Sequence, residues 1–296
     1  MDFRSIGMGL AFAFMWSSAF TSARMIVVDA PPFTALSIRF LVSGLIAIII
    51  AKAVGQTWHL PRAQWRSVVI FGLCQNALYL GLNFVAMQWV EASLASIIAS
   101  TMPLIVALLG WLFYQQRLPA LGLAGLAAGV LGVAIIMGSR FSGHVSPEGL
   151  VLCGLGALAL AIATLTVRAA TSGGNLLMIV GLQMLVGSAL LAVAALLTET
   201  WHVNWTLRLG LAFAYTTLIP GLLATWVWFR LVARIGAVRA ATYHFLNPFF
   251  GVAVAAALLH ERLGLTDIVG VAIIGAGILA VQLSRQSASQ APVKAA

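Results

Sequence analysis

The sequence predicts an all-α membrane protein with ten transmembrane helices in two inverted five-helix repeats. Three observations predict this class: the composition, the number of long apolar segments and an internal repeat. Hydrophobic residues make up 62% of the 296 residues and charged residues only 8%, whereas soluble domains carry about a quarter charged residues. The composition therefore excludes a soluble enzyme, a disordered regulator and a soluble nucleic-acid-binding protein.

A helix that crosses a bilayer needs about 20 mostly apolar residues, and ten segments of the chain meet this requirement. The expected spans are Ile6–Met25, Phe33–Ala51, Arg66–Met87, Ala92–Tyr114, Leu118–Met137, Leu150–Ala169, Leu176–Leu197, Leu207–Val232, Ala237–Leu259 and Leu265–Leu283. The segments between them are short, so no soluble domain is expected. The first span has the features of a signal peptide, but the repeat needs this helix and we expect it to be retained.

The basic residues set the expected orientation. Of the 16 Lys and Arg residues, 11 fall on the side of the N-terminus, four on the opposite side and Arg39 within a helix. Cytoplasmic loops of membrane proteins carry the excess of Lys and Arg. We therefore expect both termini in the cytoplasm, and we interpret the net charge of +9 as topology and not as a nucleic-acid-binding surface.

The internal repeat has a constant offset. Pro103 and Pro248 are 145 residues apart, and so are Arg117 and Arg262. Each copy contains five spans, an odd number, so the second copy must enter the membrane from the opposite side. Inverted repeats place a substrate site near the midplane between the halves and permit alternating access. The alternative is a duplication that only builds a stable bundle.

The repeat defines the expected domains. Residues 1–139 form the first repeat, residues 140–284 the second, and residues 285–296 a cytoplasmic tail.

Several short motifs are similar to those of one transporter family. They are Trp16-Ser17-Ser18-Ala19-Phe20, Pro31-Pro32, Arg39-Phe40, and the segments that end in Gln116-Arg117-Leu118 and Glu261-Arg262-Leu263. Together they resemble the EamA family of the drug/metabolite transporter superfamily, and within it the YddG-type bacterial amino-acid exporters. The resemblance covers essentially the whole chain. It implies a ten-helix carrier of the bacterial inner membrane, commonly an exporter of amino acids or related metabolites. Gln116 departs from the Glu that the family usually shows there.

Arg39 is the only cation well inside an expected span. Ionisable groups in a membrane cost about 2.5–3.5 kcal/mol on insertion scales and are candidates for function. Arg39 either pairs with a substrate carboxylate or has a structural role, in which its side chain reaches toward the headgroups or bonds to neighbouring carbonyls.

His244 is the only one of the five histidines within a span. Tyr243, His244 and Asn247 fall on roughly one helix face, and Pro248 is expected to loosen the helix and free carbonyls that line a cavity. The group either lines a substrate cavity or forms hydrogen bonds between helices without a role in transport.

Other polar or aromatic side chains complete the set of candidate substrate-binding residues. Large polar side chains are expensive to expose to lipid, so those of the third span favour a cavity, whereas serines and aromatic residues in such helices more often only pack. These further candidates are Trp16, Gln75, Tyr79, Asn83, Ser100, Gln183 and Trp226, with Trp228 as the alternative to Trp226 in the eighth span.

The core of every expected span lacks Asp, Glu and Lys. Phosphorylated substrates and the carboxylate proton relay of many antiporters are therefore disfavoured, and a small neutral or zwitterionic solute, most favourably an amino acid with broad side-chain tolerance, fits best. Other metabolites or drugs, or a channel, are the alternatives. The sequence has no HExxH, GxSxG or paired carboxylates within spans, so no enzyme, metal or cofactor is expected. The expected partners are the bilayer and the solute, with the protein a monomer or weak homo-oligomer.

Overall fold

The computed structural model describes residues 3–114, 119–140, 146–166, 175–235 and 240–290. In these residues ten helices are long and apolar enough to cross a membrane, and there is no strand. They are α1 (Phe3–Asp29), α2 (Pro32–Ala53), α3 (Arg62–Ala86), α4 (Ala92–Phe113), α5 (Ala120–Gly138), α6 (Pro147–Leu165), α7 (Leu176–Thr198), α8 (Leu207–Val232), α9 (Thr242–Leu259) and α10 (Leu265–Ser284). The predicted helical class and number of spans are confirmed. The predicted span ends at Leu118, Ala169 and Ala237 lie outside the described residues.

The helix bundle has two ends. The N-terminal face is the end at which α1 begins, and the far face is the end at which α1 ends. Hydrogen bonds join helix ends that lie at the same face. At the far face Glu199, after α7, contacts the start of α2, and at the N-terminal face Gln56, after α2, contacts the start of α7.

Helices α4 and α9 are interrupted at equivalent places. In α4 the helix stops at Ser100 and resumes as Met102–Tyr114, and in α9 a 3₁₀ segment, Thr242–Leu246, is followed by the α-helix Asn247–Leu259. Met102 and Asn247 are 145 residues apart, so each new helix starts one residue before its proline. Proline has no N–H and fits best in the first turn of a helix, which explains why both helices restart there.

Helices α3 and α8 contain π-helical segments, also in equivalent places. These are Gly72–Leu80 in α3 and Ile219–Leu223 in α8; shifting the second by 145 residues gives positions 74–78, inside the first. In α8 the cause is visible, because Pro220 cannot donate the usual hydrogen bond and the chain widens to the i→i+5 pattern.

Helices α5 and α10 pack through glycines at very close range. A Cβ atom on Gly125 would lie 2.6 Å from the carbonyl oxygen of Gly277, and one on Gly132 would lie 2.8 Å from that of Gly270. The residue number rises along α5 while it falls along α10, so the two helices are antiparallel. Such close backbone approach is typical of small-residue interfaces in membranes.

Helices α2 and α7 form a second antiparallel pair of the same kind. Ser37 donates to the carbonyl of Ser188 at 2.9 Å, and Ser188 donates back to that of Ser37 at 2.8 Å. Farther along, Cβ atoms on Gly44 and Gly181 would each lie 3.0 Å from the other's carbonyl oxygen. In both helix pairs the contacts are reciprocal, since each residue of a pair meets the backbone of the other.

Side chains from the end of one helix cap the start of another. At the far face the carboxylate of Glu199 accepts hydrogen bonds from the N–H groups of Phe33 and Thr34 at 2.7 and 2.8 Å. The carboxylate of Glu261 accepts from those of Ala92 and Ser93 at 2.8 and 3.0 Å. These bonds satisfy N–H groups that have no partner inside their own helix, and they tie α7 to α2 and α9 to α4.

We predict that Gly125→Leu destabilises the protein, because the added side chain must displace backbone of α10. Overpacking of this kind costs about 1–3 kcal/mol or more. The measurement is the thermal unfolding midpoint in detergent. Gly138→Leu is the control, since a Cβ on Gly138 of the same helix meets nothing within 4 Å. Equal midpoints for the two variants would contradict the close packing of α5 and α10.

We also predict that Glu199→Gln lowers the unfolding midpoint, because a neutral amide replaces a carboxylate at a helix N-terminus. Loss of such a cap costs about 0.5–2 kcal/mol. Glu148→Gln is the matched control, because Glu148 lies in the first turn of its own helix α6 and accepts from the Ser146 hydroxyl just before that helix, so this change also neutralises a carboxylate near a helix N-terminus but breaks no bond between helices. A loss in the control as large as in Glu199→Gln would exclude the cap as its cause.

Candidate functional site

A small cavity lies where the interruptions of α4 and α9 meet. Helices α1, α4, α6 and α9 contribute its walls, and its lining residues are Trp16, Phe20, Ala99, Ser100, Met102, Pro103, Leu160, His244 and Asn247. The enclosed volume is about 10 Å³, room for about one water molecule. A solute can therefore enter only if the helices around the cavity move apart.

The polar groups of the cavity come from the two interruptions. The Asn247 amide N–H donates to Nδ1 of His244 at 2.9 Å, which places the ring proton of a neutral imidazole on Nε2. The Oδ1 atom of Asn247 is buried and has no hydrogen-bond partner among the described residues. The hydroxyl of Ser100 donates to the carbonyl of Ser96 at 2.6 Å. Asn247 thus offers an unused acceptor beside the cavity.

Aromatic rings surround the imidazole of His244. The ring centroids of Phe12, Trp16 and Trp228 lie 5.4, 6.4 and 5.3 Å from that of His244. The first two meet it edge to face, a favoured geometry for aromatic pairs. Trp16 therefore forms part of the cavity lining next to the polar groups of α9, and Phe12 of α1 and Trp228 of α8 pack against the imidazole without lining the cavity themselves.

Trp226, one of the two α8 tryptophans among the sequence candidates, lies elsewhere. Its side chain is 48% exposed, and its ring lies under the guanidinium of Arg230 at 5.1 Å. Residues two positions apart on a helix point in nearly opposite directions, so Trp228 is on the inner face and Trp226 on the outer one. The buried residues Ala224, Val227 and Leu231 mark that inner face. Trp228 is four residues after Ala224 and three before Leu231, so this helical spacing places Trp228, and not Trp226, on the inner face.

Tyr243 does not share the cavity with its neighbour His244. Its buried ring packs against Gly9 of α1 and in a cluster with Leu231 and Ala240. The reason is the 3₁₀ geometry of Thr242–Leu246. With three residues per turn, His244 and Asn247 align on one face while Tyr243 points about a third of a turn away.

The candidates of α3 and α7 lie in helix interfaces outside the cavity lining. Tyr79 and Asn83 are buried, and both pack against α6 at Gly156. Asn83 donates to the Tyr79 carbonyl at 2.8 Å. The carbonyl of Gln183 accepts from the Asn76 side chain at 2.9 Å, which joins α7 to α3. Gln75 is half-buried within the π segment of α3.

Arg39 is also apart from the cavity. It is only 5% exposed, its guanidinium lies 5.2 Å from the ring centroid of Phe40, and its Nη2 faces Gly221 of α8. The cavity lining therefore contains four of the sequence candidates, Trp16, Ser100, His244 and Asn247. Trp228, the alternative to Trp226, packs against His244, and so does Phe12, which the sequence did not indicate.

A larger pocket of about 530 Å³ opens at the far face, between the α1–α2 turn and the segment that follows α7. Its acidic side chains are engaged in protein contacts: Glu199 caps α2, and the Asp29 carboxylate accepts from the hydroxyl of Thr206 at 3.1 Å. No cluster of three or more His, Cys, Asp or Glu side chains suited to a metal ion occurs in the part of the chain that the structure describes.

The comparisons with known proteins agree with this architecture. The chain is 26% identical over 286 residues to the transporter YvbV of Bacillus subtilis, covering 96% of this chain and 93% of that protein. It is 23% identical over 284 residues to a probable amino-acid metabolite efflux pump of Salmonella typhimurium, covering 92% of each. One crystal structure with 19% identity shares the fold, with a TM-score of 0.69 over 97% of this chain and 99% of that one.

The model of the EamA-like transporter family matches the chain twice, over residues 3–138 and again over residues 147–283. Since these two matches cover nearly the whole of a ten-helix membrane protein, the chain belongs to the EamA-like transporter family, within the drug/metabolite transporter superfamily.

Proposed function

We propose that the protein is an inner-membrane carrier that exports small neutral or zwitterionic metabolites, most favourably amino acids, by alternating access. The observation that carries this proposal is the cavity at the interruptions of α4 and α9, with the unused Oδ1 acceptor of Asn247 beside it. The amino-acid part is also supported by the similarity to the probable amino-acid metabolite efflux pump of Salmonella typhimurium.

The chemistry of the cavity suits a zwitterion. Asn247 Oδ1 can accept from an ammonium group, and the ring N–H of His244 can donate to a carboxylate. The ring of Trp16 in the lining and that of Trp228 packed against His244 provide apolar surface that can contact uncharged side chains of different shapes once the cavity opens. The lining contains no carboxylate, so it offers no counter-charge for a drug cation.

Alternating access follows from the paired elements of the two halves. The proposed repeats are residues 1–139 and 140–284, and the matched interruptions and reciprocal helix contacts support their inverted relation. The cavity is nearly closed in this conformation. Exchange of conformation between the halves would open it first to one membrane face and then to the other. We place both termini in the cytoplasm, on the basis of the positive-inside rule.

We predict counterflow in proteoliposomes that contain the purified protein. Preloading with an unlabelled neutral amino acid should accelerate uptake of the same labelled compound at least several-fold over empty liposomes. Downhill flux without such acceleration would indicate a channel and contradict the carrier. Acceleration by other metabolites but by no amino acid in a full panel would contradict the amino-acid assignment alone.

We predict that Trp228→Leu raises the substrate concentration for half-maximal counterflow by about tenfold, since a lost aromatic contact is worth about 0.5–1.5 kcal/mol beyond its buried area. Trp226→Leu should leave it unchanged, because that ring lies on the outer surface of α8. The two variants make the same chemical change two residues apart. If Trp226→Leu instead raised the half-maximal concentration more than Trp228→Leu, the other face of α8 would lie toward the substrate, which would contradict the proposal.

We predict that an imposed proton gradient does not drive accumulation of substrate. The cavity lining contains no carboxylate that could relay protons, and His244 is its only titratable side chain. The measurement is substrate uptake with and without a pH step. Accumulation that disappears in His244→Gln would contradict this and assign proton coupling to the histidine.

A further inference from the structure

We propose that Arg39, together with Ser43 and the π-helical turn of α8, forms a buried site for a small monovalent anion, separate from the cavity at His244. The anion is the carboxylate of a small solute or an inorganic ion such as chloride. This site goes beyond the proposed function and does not require it.

The guanidinium of Arg39 is buried, and no acidic side chain in the described part of the chain forms an ion pair with it. The side chain is 5% exposed, and its Nε atom has no hydrogen-bond partner among the described residues. The six acidic residues that the structure describes all lie at or beyond helix ends of the far face: Asp29, Glu91, Glu148, Glu199, Glu261 and Asp267. An isolated buried charge costs several kcal/mol, so this cation calls for an anion from outside the chain.

A second unused donor lies beside the guanidinium. The hydroxyl of Ser43, one turn along α2 from Arg39, is also buried and has no partner among the described residues. The position that a Cβ atom on Gly221 would occupy is 3.5 Å from Arg39 Nη2 and 3.5 Å from Ser43 Oγ. Both donors therefore face the same point on α8, where glycine leaves out a side chain.

The backbone of α8 is adapted at this point. Gly221 lies inside the π segment Ile219–Leu223, and the same Cβ position is 3.1 Å from the carbonyl oxygen of Thr216. A π-bulge is often found at a functional site. That carbonyl repels an anion, so the ligand must lie toward Arg39 and Ser43, and a singly charged ion fits better than a phosphate.

Two pairs of hydroxyl groups between α1 and α8 are engaged with each other. Ser22 of α1 accepts from the hydroxyl of Thr216 at 2.7 Å, and Ser18 is 2.7 Å from the hydroxyl of Tyr215. These contacts fix α1 against α8 beside the site. The two donors without partners, Arg39 Nε and Ser43 Oγ, are therefore left for a ligand.

The test is the thermal unfolding midpoint of the purified full-length protein at constant ionic strength. Sodium chloride or sodium acetate replaces the sodium salt of MES, a sulfonate too bulky for the site. We expect a saturable rise of the midpoint with chloride, acetate or both. A response to acetate alone assigns the site to a solute carboxylate, and a response to chloride alone assigns it to an inorganic ion.

Gly221→Ala narrows the space between the two donors while Arg39 stays in place, and alanine is accepted in helices. We expect this variant to need at least tenfold more anion for the same rise. Gly210→Ala in the same helix is the control, since a Cβ there meets nothing within 4 Å. Arg39→Gln should abolish the response if it folds.

No midpoint change with either anion, or equal responses of Gly221→Ala and Gly210→Ala, would overturn the proposal. The test is independent of counterflow. Loss of counterflow with a normal anion response contradicts the carrier and not the site, whereas normal counterflow without an anion response contradicts the site alone.

Discussion

In a bilayer every backbone N–H and C=O group must find its partner within the protein, and this constraint governs where the helices of this chain are interrupted. The interruption in α4 and the 3₁₀ segment of α9 both border the cavity at Asn247. The π segment of α8 borders Arg39 at Gly221. Departures from the regular helix thus coincide with two of the places where the described residues bury polar side chains without partners, and nonhelical backbone is tolerated where it lines a cavity.

The same constraint acts at the helix ends, and it acts unequally at the two faces. At the far face the carboxylates of Glu199 and Glu261 cap α2 and α4. At the N-terminal face the neutral amide of Gln56 caps α7, accepting from Met178 N–H at 3.0 Å. Hydrogen bonds to a carboxylate are roughly twice as strong as neutral ones, and negative charge is favoured at a helix N-terminus. The described caps therefore hold the far face together more firmly.

The sequence was sufficient to predict the helical class, the ten spans and a loosened helix at Pro248, because apolar length and proline position determine them directly. It predicted the cavity members only in part. Tyr243 and Asn247 were expected on one face at i, i+4 spacing, but the 3₁₀ turn rotates Tyr243 about a third of a turn away from Asn247. Tyr79 and Asn83 were expected in a cavity, yet glycine at position 156 lets α6 approach and enclose them. Which face of a membrane helix meets lipid depends on its neighbours, and apolar sequence leaves that undetermined.

The distribution of charged side chains also bears on which substrate the cavity can bind. The cavity lining has no charged side chain apart from the titratable His244, while the buried cation, Arg39, is held by other helices. A solute with a large net charge would exchange its hydration for neutral dipoles, at a cost of several kcal/mol. A zwitterion carries opposite charges that neutral donors and acceptors such as His244 and Asn247 can meet separately. Neutral polar groups beside aromatic rings therefore select against net charge while they tolerate different uncharged side chains.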